Sequence, residues 1–90
     1  MKITSFHILK LYQIEVIFDD GKIVVADFEE FLKKSTNPLI LQFLDLDKFY
    51  DVKLDEYGTL VWGDDEMDIN PLKIYDGYYP ISKSILKEFA

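Results

Sequence analysis

Residues 57–77, YGTLVWGDDEMDINPLKIYDG, constrain this chain more than any other stretch, because a strand, a break, a helix cap and a helix stop follow one another within it. Gly58 can take a positive φ without a Cβ clash, so a turn is expected there. Residues 59–62 then read as a short strand with Leu60 and Trp62 on one face. Gly63, Asp64 and Asp65 break it. Asp68, Ile69, Asn70 and Pro71 spell a helix start: Asn70 can accept from free backbone N–H groups, and Pro71 fits the first turn, where no N–H is needed. The helix over 72–75 must be short, since Gly77 suits the left-handed residue that closes a helix. Trp62, Asp68, Asn70 and Pro71 are therefore expected as structural anchors, with Trp62 and Tyr75 mainly in the core.

The segment upstream supplies the rest of a small sheet. Residues 3–9 are apolar and rich in β-branched side chains, as a first strand requires. Tyr12, Ile14, Val16 and Phe18 alternate strictly with their neighbours, the period of a strand that buries one face. Asp20-Gly21 follows and predicts a type I′ hairpin turn into a returning strand over 23–26. Asp27 stands three residues before Glu30, the spacing of a capping box, and Phe28, Phe31 and Leu32 share a face of the helix it would open. Pro38 begins a second short apolar run, with Ile40, Phe43 and Leu44 on one side, read as one or two turns of helix with a buried strand as the alternative. Tyr50, Val52 and Leu54 alternate again and predict a strand over 49–54. After Gly77, Ile81, Ile85, Leu86 and Phe89 share a helical face, with Ser82 as a cap.

Strands, helices, strands and a helix in that order predict an α+β fold: an antiparallel sheet built from hairpins with two or three short helices packed on one face. The chain has 90 residues, which suits one domain over 1–90, with a core in 1–76 and a C-terminal helical extension over 77–90. Hydrophobic residues make up 49% of it and aromatic residues 16%, too many for a disordered chain.

Composition excludes several chemistries. With no cysteine there is no disulfide, thiolate zinc site, iron–sulfur cluster or cysteine nucleophile. No cofactor is expected. All ten basic residues are lysines against a net charge of −7, and the absence of arginine removes the side chain best suited to phosphates and guanine edges. Direct nucleic-acid binding is not expected. His7 and Lys10 interrupt the apolar N-terminal segment, so neither a signal peptide nor a membrane span is read there, and the chain is expected in the cytoplasm.

The remaining candidates are weak as catalysts. His7 is the lone histidine; joining it to Ser5, Ser35, Ser82 or Ser84 needs a coincidence of folding, and a strand histidine at the sheet surface is favoured by roughly twenty to one. Asp64, Asp65, Glu66 and Asp68 offer oxygen ligands but lack the spacing of a calcium loop, so a solvated turn is the expected reading and no metal site is assigned. Trp62, Tyr75, Tyr78 and Tyr79 form an aromatic group in which Tyr78 and Tyr79, beside Gly77 and Pro80, are expected to be accessible. Tyr75, Tyr78 and Tyr79 are the candidate interaction residues.

The pattern FDDG at 18–21, Asp27 with an apolar residue after it, Phe49 with Val52, and Trp62 followed by DINPLKIY at 68–75 resembles the small bacterial family catalogued as domain of unknown function 2442. The resemblance covers residues 1–76, and its most specific part is the Trp and the Asp-Ile-x-Pro-x-x-Ile-Tyr that follows. The spacer between Trp62 and Asp68 departs from the family in carrying acids where glycine is usual. The resemblance implies an α+β fold, no established activity, and encoding beside another small domain in pairs that look like toxin–antitoxin modules. Some relatives continue into a helix-turn-helix, for which too few residues follow Gly77. The expected function is a non-enzymatic interaction or regulatory module whose partner is a protein, a basic one fitting the charge best, with a homodimer as another candidate. The alternative is a small ligand-binding or hydrolytic domain using acidic residues between Asp64 and Asp68.

Overall fold

The computed structural model describes residues 1–80; the helical face expected over 81–90, with Ser82 and Ser84, lies outside the described residues. The fold is α+β. Its strands divide into two antiparallel three-stranded sheets where the sequence suggested one. The first holds β1 (Ile3–Ile8), β2 (Gln13–Phe18) and β3 (Ile23–Asp27) in sequence order. Short helices follow: α1 (Glu29–Lys34), α2 (Pro38–Leu41), a 3-10 turn at Gln42–Leu44, and α3 (Leu46–Phe49). The second sheet holds β4 (Lys53–Leu54), β5 (Leu60–Trp62) and β6 (Met67–Ile69), and α4 (Pro71–Tyr75) comes last.

Alternation in β2 works as its period requires: Ile14, Val16 and Phe18 are buried while Glu15 and Ile17 are not. The turn after it differs from expectation. Gly21 alone has a positive φ, of 89°; its N–H donates to the Phe18 carbonyl at 2.9 Å, and the Phe18 N–H donates to that of Lys22 at 2.9 Å. This is a three-residue loop ending in a left-handed glycine, which Asp19 and Asp20 enter without taking a positive φ. The capping box also fails to form. The Asp27 carboxylate accepts from Glu29 N–H at 3.0 Å, and α1 begins from Phe28 without a side-chain cap.

Two further expectations are corrected. Residues 49–54 are not one strand, because Asp45 accepts from Asp47 N–H at 3.0 Å and starts a helical turn that ends at Phe49; Tyr50 is left exposed and pairing begins only at Lys53. Asp68 does not open a helix. It lies in β6 opposite Val61, exposed between buried Met67 and Ile69, and the cap belongs to Asn70, which accepts from Leu72 N–H at 2.9 Å with Pro71 in the first turn.

One buried cluster unites both sheets. Trp62 is completely buried, its indole N–H donating to the Phe49 carbonyl at 2.9 Å and its ring 5.5 Å from that of Phe49. Phe28 sits edge-on to Trp62 at 6.0 Å and 4.9 Å from Tyr79. Tyr12 meets Phe49 edge-on at 5.3 Å, while its hydroxyl donates to the Leu44 carbonyl. The sheets are stitched at Gly58, whose carbonyl accepts from Ile3 N–H at 3.1 Å. Gly58 has φ +77°, and a Cβ there would stand 2.5 Å from Lys2 Cβ and 2.9 Å from Lys2 Cα, so only glycine fits.

Candidate interaction surface

Helix α4 closes as Gly77 requires. The Tyr78 N–H donates to the Lys73 carbonyl at 2.9 Å and the Gly77 N–H to that of Ile74 at 3.0 Å, with Gly77 at φ +78°, the paired bonds of a Schellman motif. This turns the chain so that the three C-terminal tyrosines take different positions.

Tyr75 is half-buried at the β2–β3 turn. Its ring meets Phe18 edge-on at 5.0 Å, and its hydroxyl donates to Asp20 Oδ2 at 2.7 Å. Lys22 Nζ lies 4.0 Å from the ring centroid and donates to the Tyr75 carbonyl at 3.0 Å. The hydrogen bond from Tyr75, and then that from the Lys22 N–H, hold the Asp20 carboxyl below its ordinary range; Asp20 in return pushes the Tyr75 phenol up, with Asp76 and Asp19 adding their charge. Asp19, Asp20 and Asp76 thus form an exposed acidic corner around one phenol.

Tyr78 and Tyr79 were expected to be accessible together, and they part. Tyr78 is 65% exposed, with Lys73 Nζ 5.0 Å from its ring centroid and the Tyr79 ring edge-on at 5.0 Å. Tyr79 is 6% exposed, edge-on to Phe31 at 5.6 Å, and its carbonyl accepts from Asp27 N–H at 3.0 Å. The buried core therefore reaches past residue 76, and burial pushes the Tyr79 phenol up. The partners that bury it, Phe28 and Phe31, lie far back in the sequence, which is why local reading missed them.

The other named residues are not brought together. His7 is exposed on β1, opposite Glu15. Asp64, Asp65, Glu66 and Asp68 are all exposed, the first three in the β5–β6 turn and Asp68 on its strand; Glu66 accepts from Gln42 Nε2 at 3.2 Å. Among the described residues no three His, Asp or Glu side chains gather as a metal site would require. No helix among them is long and apolar enough to cross a membrane. Sequence reading also missed exposed Leu72 on α4, 53% accessible, whose signal was its place on the helix face opposite buried Ile74.

No curated protein and no solved structure matches the chain. A family model does: that described as protein of unknown function (DUF2442) covers residues 3–80, from the start of β1 through the tyrosine pair, and the chain belongs to that family.

Proposed function

We propose that this is a non-enzymatic protein-interaction module that binds a basic protein partner through Tyr78 and the adjoining acidic corner. The observation that carries the reading is the state of the Tyr78 ring: exposed, yet fixed between Lys73 and the buried Tyr79. A large ring already held in place loses little freedom on binding, which is why tyrosine so often anchors interfaces. Asp19, Asp20 and Asp76 supply the charge that would steer a basic surface toward it. The partner this reading favours is the product of an adjacent small gene, in a bacterial toxin–antitoxin-like pair acting in the cytoplasm.

The test is co-purification with that gene product, followed by titration of the purified pair. Tyr78→Ala is expected to weaken binding at least tenfold while leaving the urea midpoint unchanged, since the ring is mostly outside the core. Absence of any complex, or a complex indifferent to Tyr78→Ala, refutes the proposal. A hydrolytic or ligand-binding role for the acids between Asp64 and Asp68 has no observation in its favour.

A further inference from the structure

We propose that β1 is a dimerisation edge, on which a second copy of this chain pairs antiparallel through its own β1, centred on His7. The two open edges of the first sheet are unlike. At β3, the end of α4 and the tyrosines are tied to both ends of the strand, by Lys22 Nζ to the Tyr75 carbonyl and by Asp27 N–H to that of Tyr79. That covering is how proteins protect an edge strand. Among the described residues, β1 is held only at its N-terminal end, where Ile3 N–H meets Gly58.

Among the described residues nothing pairs with the outer edge of the rest of β1. Leu9 N–H donates to the Gln13 carbonyl, and the register places His7 opposite Glu15 and Ser5 opposite Ile17. Antiparallel alternation then turns the backbone groups of Phe6 and Ile8 away from β2, and they have no partner among the described residues. Residues 3–9, ITSFHIL, contain no Asp, Glu, Lys or Pro in a chain of net charge −7. A second copy is the occupant this edge suits, because two such molecules repel over most of their surfaces but not along this strand. Among the described residues the usual guards against edge pairing are absent apart from one bulge between Ile3 and Ser5, at the end Gly58 already holds.

One register uses every outward group of Phe6 and Ile8: Phe6 opposite Ile8 of the second copy, and His7 opposite His7. Centring on Phe6 instead would pull the Thr4 bulge into the ladder, and centring on Ile8 would pull in Lys10. Phe6 and Ile8 face the core side and are half-buried at its rim, so the pairing joins the two rims into one apolar layer. His7 is left in a non-hydrogen-bonded pair, with Cα atoms about 4.5 Å apart.

The chain has no cysteine, which makes the test clean. Light scattering across a concentration series is expected to give twice the chain mass at high concentration. His7→Cys is expected to form a disulfide-linked dimer on mild oxidation, since that Cα separation lies within the range of about 4.4–6.8 Å that a disulfide spans. Ser5→Cys, which this register sets opposite Leu9, is expected not to crosslink. His7→Lys sets two ammonium groups against each other in the dimer but faces Glu15 within each chain, so it should yield a folded monomer with an unchanged urea midpoint. A wild-type monomer at every concentration overturns the proposal, as does a dimer that His7→Cys does not crosslink or that His7→Lys leaves intact. Tyr78→Ala lies on a different surface and should not alter the dimer.

Discussion

Replacing Gly58 with alanine tests the stitch between the two sheets, and Gly77 provides the control. Both glycines have nearly the same φ, +77° and +78°, so the left-handed penalty for an L-residue is shared, about 1–2 kcal/mol. A Cβ at Gly77 meets nothing within 4 Å. At Gly58 it would meet Lys2 Cβ at 2.5 Å, Lys2 Cα at 2.9 Å and Ile3 N at 3.0 Å, and no side-chain rotation can move a backbone atom or a Cβ. The turn must retreat, and the Ile3 N–H···O=C bond lengthens or breaks, which costs about 1–3 kcal/mol more if the amide is left without a partner. Gly77→Ala should therefore lose about 1–2 kcal/mol and Gly58→Ala about 2–5 kcal/mol. Urea unfolding followed by fluorescence is a suitable assay, because Trp62 is the sole tryptophan and is completely buried. Equal losses for the two variants, within about 0.5 kcal/mol, would refute the close-approach argument.

Other consequences are as specific. Trp62→Phe removes the donor to the buried Phe49 carbonyl and opens space beside it, and should cost about 2–4 kcal/mol by urea unfolding followed by circular dichroism, since this variant has no tryptophan. Asn70→Ala removes the α4 cap and should cost about 1 kcal/mol. Leu11 holds a left-handed φ of 48° at an exposed site, so Leu11→Gly should raise the urea midpoint, a gain of about 0.5–1 kcal/mol. Asp20 titrates below its ordinary range, so its contribution is complete above the unfolded carboxyl value and is lost as pH falls through the lower folded one; Tyr75→Phe should move the Asp20 carboxyl carbon titration back up by NMR. Tyr75 and Tyr79 are shifted the other way. Their contribution is complete below the ordinary phenol value of about 10 and is lost as pH rises through the folded ones, which ring-carbon NMR should place above that value.

What the sequence made legible was local. The alternation of Ile14, Val16 and Phe18, the strand at Leu60 and Trp62, the Asn70-Pro71 helix start and the Gly77 stop each depend on neighbours within a few residues, and each forms as read. Misreadings arose where two local signals competed. Tyr50, Val52 and Leu54 alternate, but Asp45 capping the turn before them wins; the acids around Met67 and Ile69 hid a strand whose apolar alternation was there to see. The candidate surface was harder because its parts are distant in sequence. Nothing near Tyr79 announces that Phe28 and Phe31 bury it, nor near Tyr75 that Asp20 receives its hydroxyl, nor near Gly58 that Lys2 passes against it.

Hydrogen exchange, recorded on the protein alone and with the proposed adjacent-gene partner, tests the claim that this molecule works through the face carrying Tyr78. New protection is expected in α4 and at residues 76–79, with the β5–β6 turn unchanged. Protection confined to the Asp64–Asp68 side, with residues 71–79 exchanging as before, would contradict it.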